Sequence, residues 1–175
     1  SFRGHGITRD EEFMSKKPEG DWYYEQINLG FNYRMTELQA ALGISQMKRL
    51  DKFVSMRHTL KDRYDKLLEN LPLLTPFQSK ESYSSLHLYP IQLDLQKVSK
   101  SRLKIFQELR NFGIGVNVHY IPIYYQPYYQ ELGFNKNYCS NTESYYKKVI
   151  SLPIYYSLSF EQQDNIVRKL RGLLE

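Results

Sequence analysis

Gly30-Phe31-Asn32-Tyr33-Arg34-Met35-Thr36-Glu37-Leu38-Gln39-Ala40-Ala41-Leu42-Gly43 is the stretch whose reading decides the fold. A glycine turns the chain, two polar side chains able to meet an anion follow two residues apart, and a helix then begins. Thr36 is a good N-cap: its hydroxyl can accept from the backbone N–H three residues on. Gln39 occupies that position and can return the bond, which makes a capping box. Beyond it, Leu38, Leu42, Met47, Leu50, Val54, Leu60, Tyr64, Leu67 and Leu71 recur at nearly helical spacing. The pattern predicts one helix from residue 36 to about Asn70, with Pro72 just past its end. At about 1.5 Å per residue such a helix spans roughly 50 Å, longer than a small domain is wide. That length suits a link between domains or a dimer contact. Gly43 and the polar stretch around Ser55 are the expected places for a bend or a division.

Working toward the N-terminus, residues 1 to about 33 keep no sustained period and are punctuated by Gly4, Gly6, Pro18, Gly20 and Gly30. Trp22 to Phe31 reads as a short hairpin or an irregular arm. The opening Ser1-Phe2-Arg3-Gly4-His5-Gly6 has no initiator Met and reads as the middle of a longer protein.

Working toward the C-terminus, the pattern becomes α/β. Residues 72 to 85 read as a loop with a short strand. Leu86 to Leu95 alternates, with His87, Tyr89, Ile91, Leu93 and Leu95 on one face, and Pro90 places this strand at an edge or at its own beginning. Ser99 or Ser101 caps a helix carrying Leu103, Phe106 and Leu109, and Gly113 closes it. Ile114 to Tyr120 is the clearest strand, with Asn117 and His119 on the face opposite its β-branched residues. An aromatic loop with a short helix (Ile121 to Leu132), a helix near Thr142 to Lys148 and a strand from Val149 to Ile154 follow. The last helix has its own capping box, Ser159 to Gln162, and an apolar face of Ile166, Leu170, Leu173 and Leu174.

The chain has 175 residues, 41% of them hydrophobic and 25% charged, so it can bury a core in one domain or two small ones. No apolar run reaches membrane-spanning length. The single Cys139 allows no internal disulfide and suits a reducing cytoplasm. The net charge of +5 is spread among acidic residues, with no basic block longer than Lys16-Lys17 or Lys147-Lys148. This patterning speaks against nucleic acid and membrane partners and for a solvated mixed surface. Sixteen tyrosines, many in pairs, suit interfaces and the stacking of sugars or bases as well as plain packing.

No Gly-x-Gly-x-x-Gly or Walker pattern supports nucleoside triphosphate chemistry. His5, His58, His87 and His119 are far apart, and none belongs to a metal-ligand set. Asn32 and Arg34 are sharper candidates. Both donate hydrogen bonds suited to phosphate or carboxylate, although Asn32 could equally make a turn while Arg34 pairs with Glu37. His119 and Tyr120 close a strand and enter a loop, a place where ligand-binding side chains gather. His87 and Tyr89 share a face of another strand. Each of these also fits a purely structural role.

Taken together, Arg3-Gly4-His5-Gly6, the Asn32 to Gly43 block, Arg49-Leu50-Asp51, His87-Leu88-Tyr89-Pro90-Ile91, Gly115 to Ile123 and Ser151-Leu152-Pro153 resemble, in order and spacing, the DegT/DnrJ/EryC1/StrS family of nucleotide-sugar aminotransferases. The resemblance spans nearly the whole chain. Within the family, the run His119-Tyr120-Ile121-Pro122-Ile123-Tyr124 is most similar to the PseC-type branch. That branch converts a UDP-linked 4-keto-6-deoxy amino sugar to its 4-amino derivative on the route to pseudaminic acid.

The resemblance implies the aspartate-aminotransferase-like, fold type I architecture of enzymes that use pyridoxal 5'-phosphate. Residues 1–55 would be the end of the large cofactor domain and residues 56–175 the small C-terminal α/β domain. It implies a cytoplasmic homodimer with shared active sites, acting on a UDP-linked sugar with glutamate as amino donor. Asn32 and Arg34 would bind the cofactor, with Asn32 reaching the phosphate held by the partner subunit. His119 and Tyr120, with His87 and Tyr89, would approach the sugar nucleotide. The family's Schiff-base lysine belongs upstream of the His-Gly block, so no lysine here is assigned a catalytic role, and the chain alone is expected to be inactive. The other function class that fits is a non-catalytic binding or dimerisation module with the same small-domain fold.

Overall fold

The capping box at Thr36 forms as its sequence predicts. Thr36 Oγ1 accepts from the Gln39 N–H at 3.3 Å, and Gln39 Oε1 accepts from the Thr36 N–H at 3.0 Å. The helix it opens is shorter than the apolar spacing suggests. In the computed structural model, which describes residues 1–175, α1 runs Glu37–Met47 and α2 runs Leu50–Leu68. The ladder breaks at Lys48-Arg49, where the Arg49 N–H donates three residues back to Gln46 O at 3.0 Å. Gly43 stays helical and Ser55 lies inside α2, so neither expected point of division is the real one. The two compact units of the chain, Ser1–Arg49 and Leu50–Glu175, divide at this turn.

The first unit is a backbone-bonded arm ahead of α1. Strand β1 (Ile7–Thr8) pairs antiparallel with β2 (Glu25–Gln26), and an antiparallel bridge joins Gly4 to Asn32. Two glycines permit this crossing. A Cβ on Gly6, whose φ is 72°, would fall 1.8 Å from Asn28 O. One on Gly30 would fall 2.3 Å from Gly6 N. Between the strands, the Glu25 carboxylate accepts from Ser15 N–H (2.7 Å), Ser15 Oγ (3.0 Å) and Tyr23 OH (3.0 Å). The backbone bond from Ser15 above all holds the carboxyl below its ordinary range. Helix α1 buries none of its residues.

The second unit is α+β. Strands β3 (Leu73–Leu74), β4 (Tyr89–Leu93) and β5 (Val149–Leu152) form an antiparallel sheet in that order, with Tyr89 opposite Leu152 and Pro90 opposite Ser151. Pro90 is tolerated in the central strand because β3 pairs only with Gln92 and Leu93, so no neighbour on that side needs its missing N–H. Helices α2, α3 (Arg102–Asn111) and α6 (Phe160–Leu174), with connecting residues such as Ile114, Val116 and Leu158, supply the rest of the core. Short α4 (Pro127–Glu131) and α5 (Ser140–Lys148) lie between α3 and β5. Leu60 and Tyr64 of α2, Ile91 of β4, Ile105 and Leu109 of α3, Ile150 of β5 and Leu170 of α6 are fully buried.

Both remaining predicted caps form. Ser101 accepts from the Lys104 N–H, and Ser159 with Gln162 makes the second capping box. Gly113, with φ 76°, ends α3. The predicted face of α3 shifts: Ile105 is buried while Leu103 is exposed. The segment Ile114 to Tyr120 keeps its inward Ile114 and Val116 but is not a strand. Asn117 alone bridges to Ser151 of β5, through N–H···O bonds of 2.8 and 3.3 Å. No helix is long and apolar enough to cross a membrane.

Candidate functional site

Asn32 and Arg34 stand at the entrance to α1. The Asn32 backbone is fixed by its bridge to Gly4, and the neighbouring Tyr33 N–H donates to Arg3 O at 2.9 Å. Both side chains are exposed. No ion pair joins Arg34 to Glu37, so the surface-pair alternative does not form. An amide and a guanidinium held two residues apart beside a capped helix start make a set of donors for an oxyanion.

His119 is held by contacts on both ring nitrogens. Its Nδ1 lies 2.9 Å from Ser151 Oγ, and its Nε2 lies 3.5 Å from Asn117 Nδ2. Its ring meets that of Tyr120 edge-on, with centroids 4.7 Å apart, and the peptide between the two residues is cis. Tyr120 itself is 69% exposed. Ser151 is 4% exposed and lies on β5, opposite Pro90 of β4 on one side and Asn117 on the other. Position two before His119 in an alternating run already put Asn117 on the same side of the chain. The sequence marked Ser151 only as part of the Ser151-Leu152-Pro153 block and did not link it to His119, because a bridge between residues so distant in sequence leaves no periodic signal.

His87 and Tyr89 do not act as a pair. The strand begins only at Tyr89, and Leu86, buried with φ 50°, turns the chain so that His87 faces outward. Tyr89 points the other way and is fully buried. Its ring stacks on Tyr64 at 4.9 Å, and its hydroxyl donates to Asp65 Oδ1 at 2.5 Å. Burial, followed by the bond to the Asp65 carboxylate, pushes the phenol far above its ordinary range. The predicted role of Tyr89 beside a sugar is therefore corrected: it has neither a free ring face nor a free hydroxyl.

The loop after Tyr120 is held by Glu143 of α5, a carboxylate that the sequence reading passed over. Glu143 is 7% exposed, and its Oε1 accepts from the Asn137 N–H at 2.6 Å and from Tyr124 OH at 3.2 Å. The rings of Tyr124, Tyr125, Tyr138 and Phe134 pack mostly edge-on against one another. Cys139 Sγ accepts from Thr142 Oγ1 at 3.1 Å, which with backbone bonding lowers the thiol pKa.

Lys16, the first lysine of the chain, is engaged in an ion pair. Lys16 Nζ pairs with Glu19 at 2.9 Å, and that bond is the foremost cause of its raised pKa. Its amine is held protonated, the reverse of what attack on a carbonyl requires. No group of three or more His, Cys, Asp or Glu side chains is placed to hold a metal ion.

This arm, capped helix and three-stranded α+β unit are those of a known class. Residues 1–171 match the DegT/DnrJ/EryC1/StrS aminotransferase family, and the chain belongs to it. It is 35% identical over 175 residues to the UDP-4-amino-4,6-dideoxy-N-acetyl-beta-L-altrosamine transaminase of Helicobacter pylori, covering 99% of this chain and 44% of that protein. Among solved structures it is similar to Helicobacter pylori PseC, an aminotransferase involved in the biosynthesis of pseudoaminic acid. The TM-score is 0.82 at 31% identity, over 99% of this chain and 44% of the other. The PLP-form of the putative sugar aminotransferase Spr1654 from Streptococcus pneumoniae matches with TM-score 0.82 at 28% identity, over 98% of this chain and 41% of the other. The chain thus spans less than half the length of the curated relatives it matches, and its fold is part of a fold type I transferase.

Proposed function

We propose that this chain forms the C-terminal part of an aminotransferase that uses pyridoxal 5'-phosphate to move an amino group from glutamate to a UDP-linked 4-keto-6-deoxy sugar. The observation that carries the reading is the Asn32–Arg34 donor pair on a pinned backbone at the start of α1, in a chain of this family. The first unit then belongs to the end of the large cofactor domain and the second is the small C-terminal domain. A cytoplasmic homodimer with shared sites and a role in surface-glycan biosynthesis follow from the same reading.

The residues present fit the phosphate end of the cofactor. The Asn32 amide would donate to an oxygen of the phosphate held by the partner subunit, and the Arg34 guanidinium would neutralise charge there or on an anionic substrate group. Neither side chain supplies a reactive amine. When bound, pyridoxal phosphate supplies electron withdrawal from the carbon that bears the nitrogen. In the second unit, His119 and Tyr120 approach the sugar nucleotide: the exposed Tyr120 ring offers an apolar face for a sugar or base, and the His119 ring offers a nitrogen. His87, exposed two residues ahead of β4, would approach the same ligand.

The test is cofactor affinity in the protein expressed from its whole reading frame. A hydrogen bond to a charged oxygen contributes about 1.5–3 kcal/mol, so Asn32→Ala should weaken pyridoxal phosphate binding by about 10- to 100-fold. Equilibrium dialysis showing unchanged affinity would remove Asn32 from the phosphate site. A non-catalytic module of the same fold would bind no pyridoxal phosphate at all.

A further inference from the structure

The contacts around His119 determine more than its position. Asn117 Oδ1 accepts from the Val118 N–H at 2.8 Å, which fixes the orientation of the amide, because only its oxygen can face a backbone donor. Its Nδ2 is then the atom 3.5 Å from His119 Nε2. An amide N–H facing a second N–H would set two donors against each other, so the nitrogen opposite Nδ2 carries a lone pair. The contact is too long to contribute much energy, yet it discriminates between the two tautomers. The proton of the neutral ring then sits on Nδ1, 2.9 Å from Ser151 Oγ, which accepts it. The assignment follows from the hydrogen-bond network as a whole. Asn117 and Ser151 are themselves fixed relative to each other by their paired backbone bonds.

We infer that Asn117 and Ser151 are positioning residues that hold His119 as its Nδ1–H tautomer, so that Nε2 offers a lone pair to a hydroxyl or amine hydrogen of a ligand. A carbonyl or carboxylate oxygen would find no donor there while the ring is neutral. The ligand class rests on the reading that His119 faces the sugar nucleotide; the tautomer does not. At 3.5 Å the Asn117 amide is loosely engaged, so a ligand hydroxyl can take over the lone pair without breaking a strong bond.

The experiment is magic-angle-spinning 15N NMR of the 15N-histidine-labelled protein expressed from its whole reading frame. It is recorded near pH 8.5, above the ordinary imidazole pKa of about 6.5. The His119→Gln variant identifies the His119 signals among the four histidines. The expected result is a protonated Nδ1 and an unprotonated Nε2. Ser151→Ala should move the population toward Nε2–H, Ser151→Thr should retain Nδ1–H, and Asn117→Asp, which turns an acceptor toward Nε2, should reverse the tautomer. A wild-type signal with the proton on Nε2, or a tautomer indifferent to both Ser151→Ala and Asn117→Asp, overturns the inference. In a sample saturated with UDP-N-acetylglucosamine, as judged by calorimetry, the Nε2 signal should shift toward that of a hydrogen-bonded acceptor. An unmoved signal in that sample overturns the ligand class. A protein that does not bind the nucleotide sugar refutes the substrate reading instead, and the tautomer measurements still decide the rest.

Discussion

Tyr89 shows how one residue's chemistry is set by what lies opposite. Its hydroxyl lies against Asp65, which also pairs with Lys61 Nζ at 2.8 Å, so phenol, carboxylate and ammonium form one chain at the margin of the core. Tyr64, stacked on it, donates to Pro153 O at 3.0 Å, and burial raises its phenol too. A hydrogen bond to a charged acceptor contributes about 1.5–3 kcal/mol, and Asp65 would keep Lys61, so Tyr89→Phe should cost about 1.5 kcal/mol. Urea denaturation reads that loss. If the substitution instead weakened nucleotide-sugar binding and left stability unchanged, Tyr89 would be a ligand residue after all. The reading of His87 and Tyr89 as neighbours failed because alternation assigns faces only within a strand, and Leu86 reverses the chain just before this one starts. The helix start just after Asn32 and Arg34 was legible because its capping box is local chemistry, and local chemistry survives in sequence.

Helices α2 and α6 show what an element gains from one buried polar side chain. Gln163 of α6 is fully buried; its Nε2 donates to Leu60 O at 2.8 Å and its Oε1 accepts from Arg63 at 3.1 Å. Arg63 continues to Asp164 at 2.7 Å. The amide thus fixes the axial position of one helix on the other, which apolar side chains alone do less strictly. Gln163→Met keeps the volume and loses both bonds. The expected cost is about 1–3 kcal/mol, because the Arg63 donor is left half-satisfied beside an apolar group. A calorimetric scan with unchanged melting temperature would contradict that role. Caps, the Gly113 terminator and the final amphipathic helix were all readable in advance, since each depends on residues within a few positions. The division at Lys48-Arg49 was not, because apolar spacing continued straight across it and neither proline nor glycine marks the break. The segment Ile114 to Tyr120 has strand composition and lacks the neighbours a strand needs, something only the tertiary structure decides.

At the scale of the whole molecule, the second unit carries its own core while α1 of the first leaves Leu38 85% and Leu42 64% exposed. The apolar stripe that suggested one helix is therefore two different surfaces, buried at Leu60 and Tyr64 of α2 and open along α1. Family membership accounts for both units in one chain, and the proposed chemistry draws on each: phosphate donors in the first, sugar-facing side chains in the second. The direct measurement is amino transfer by the protein expressed from its whole reading frame. It is supplied with pyridoxal 5'-phosphate, glutamate and a UDP-linked 4-keto-6-deoxy sugar, and followed by release of 2-oxoglutarate. The account predicts one 2-oxoglutarate for each keto sugar converted to its 4-amino derivative. No 2-oxoglutarate above the sugar-free control, with cofactor bound and across the UDP-keto-sugars tried, would contradict it.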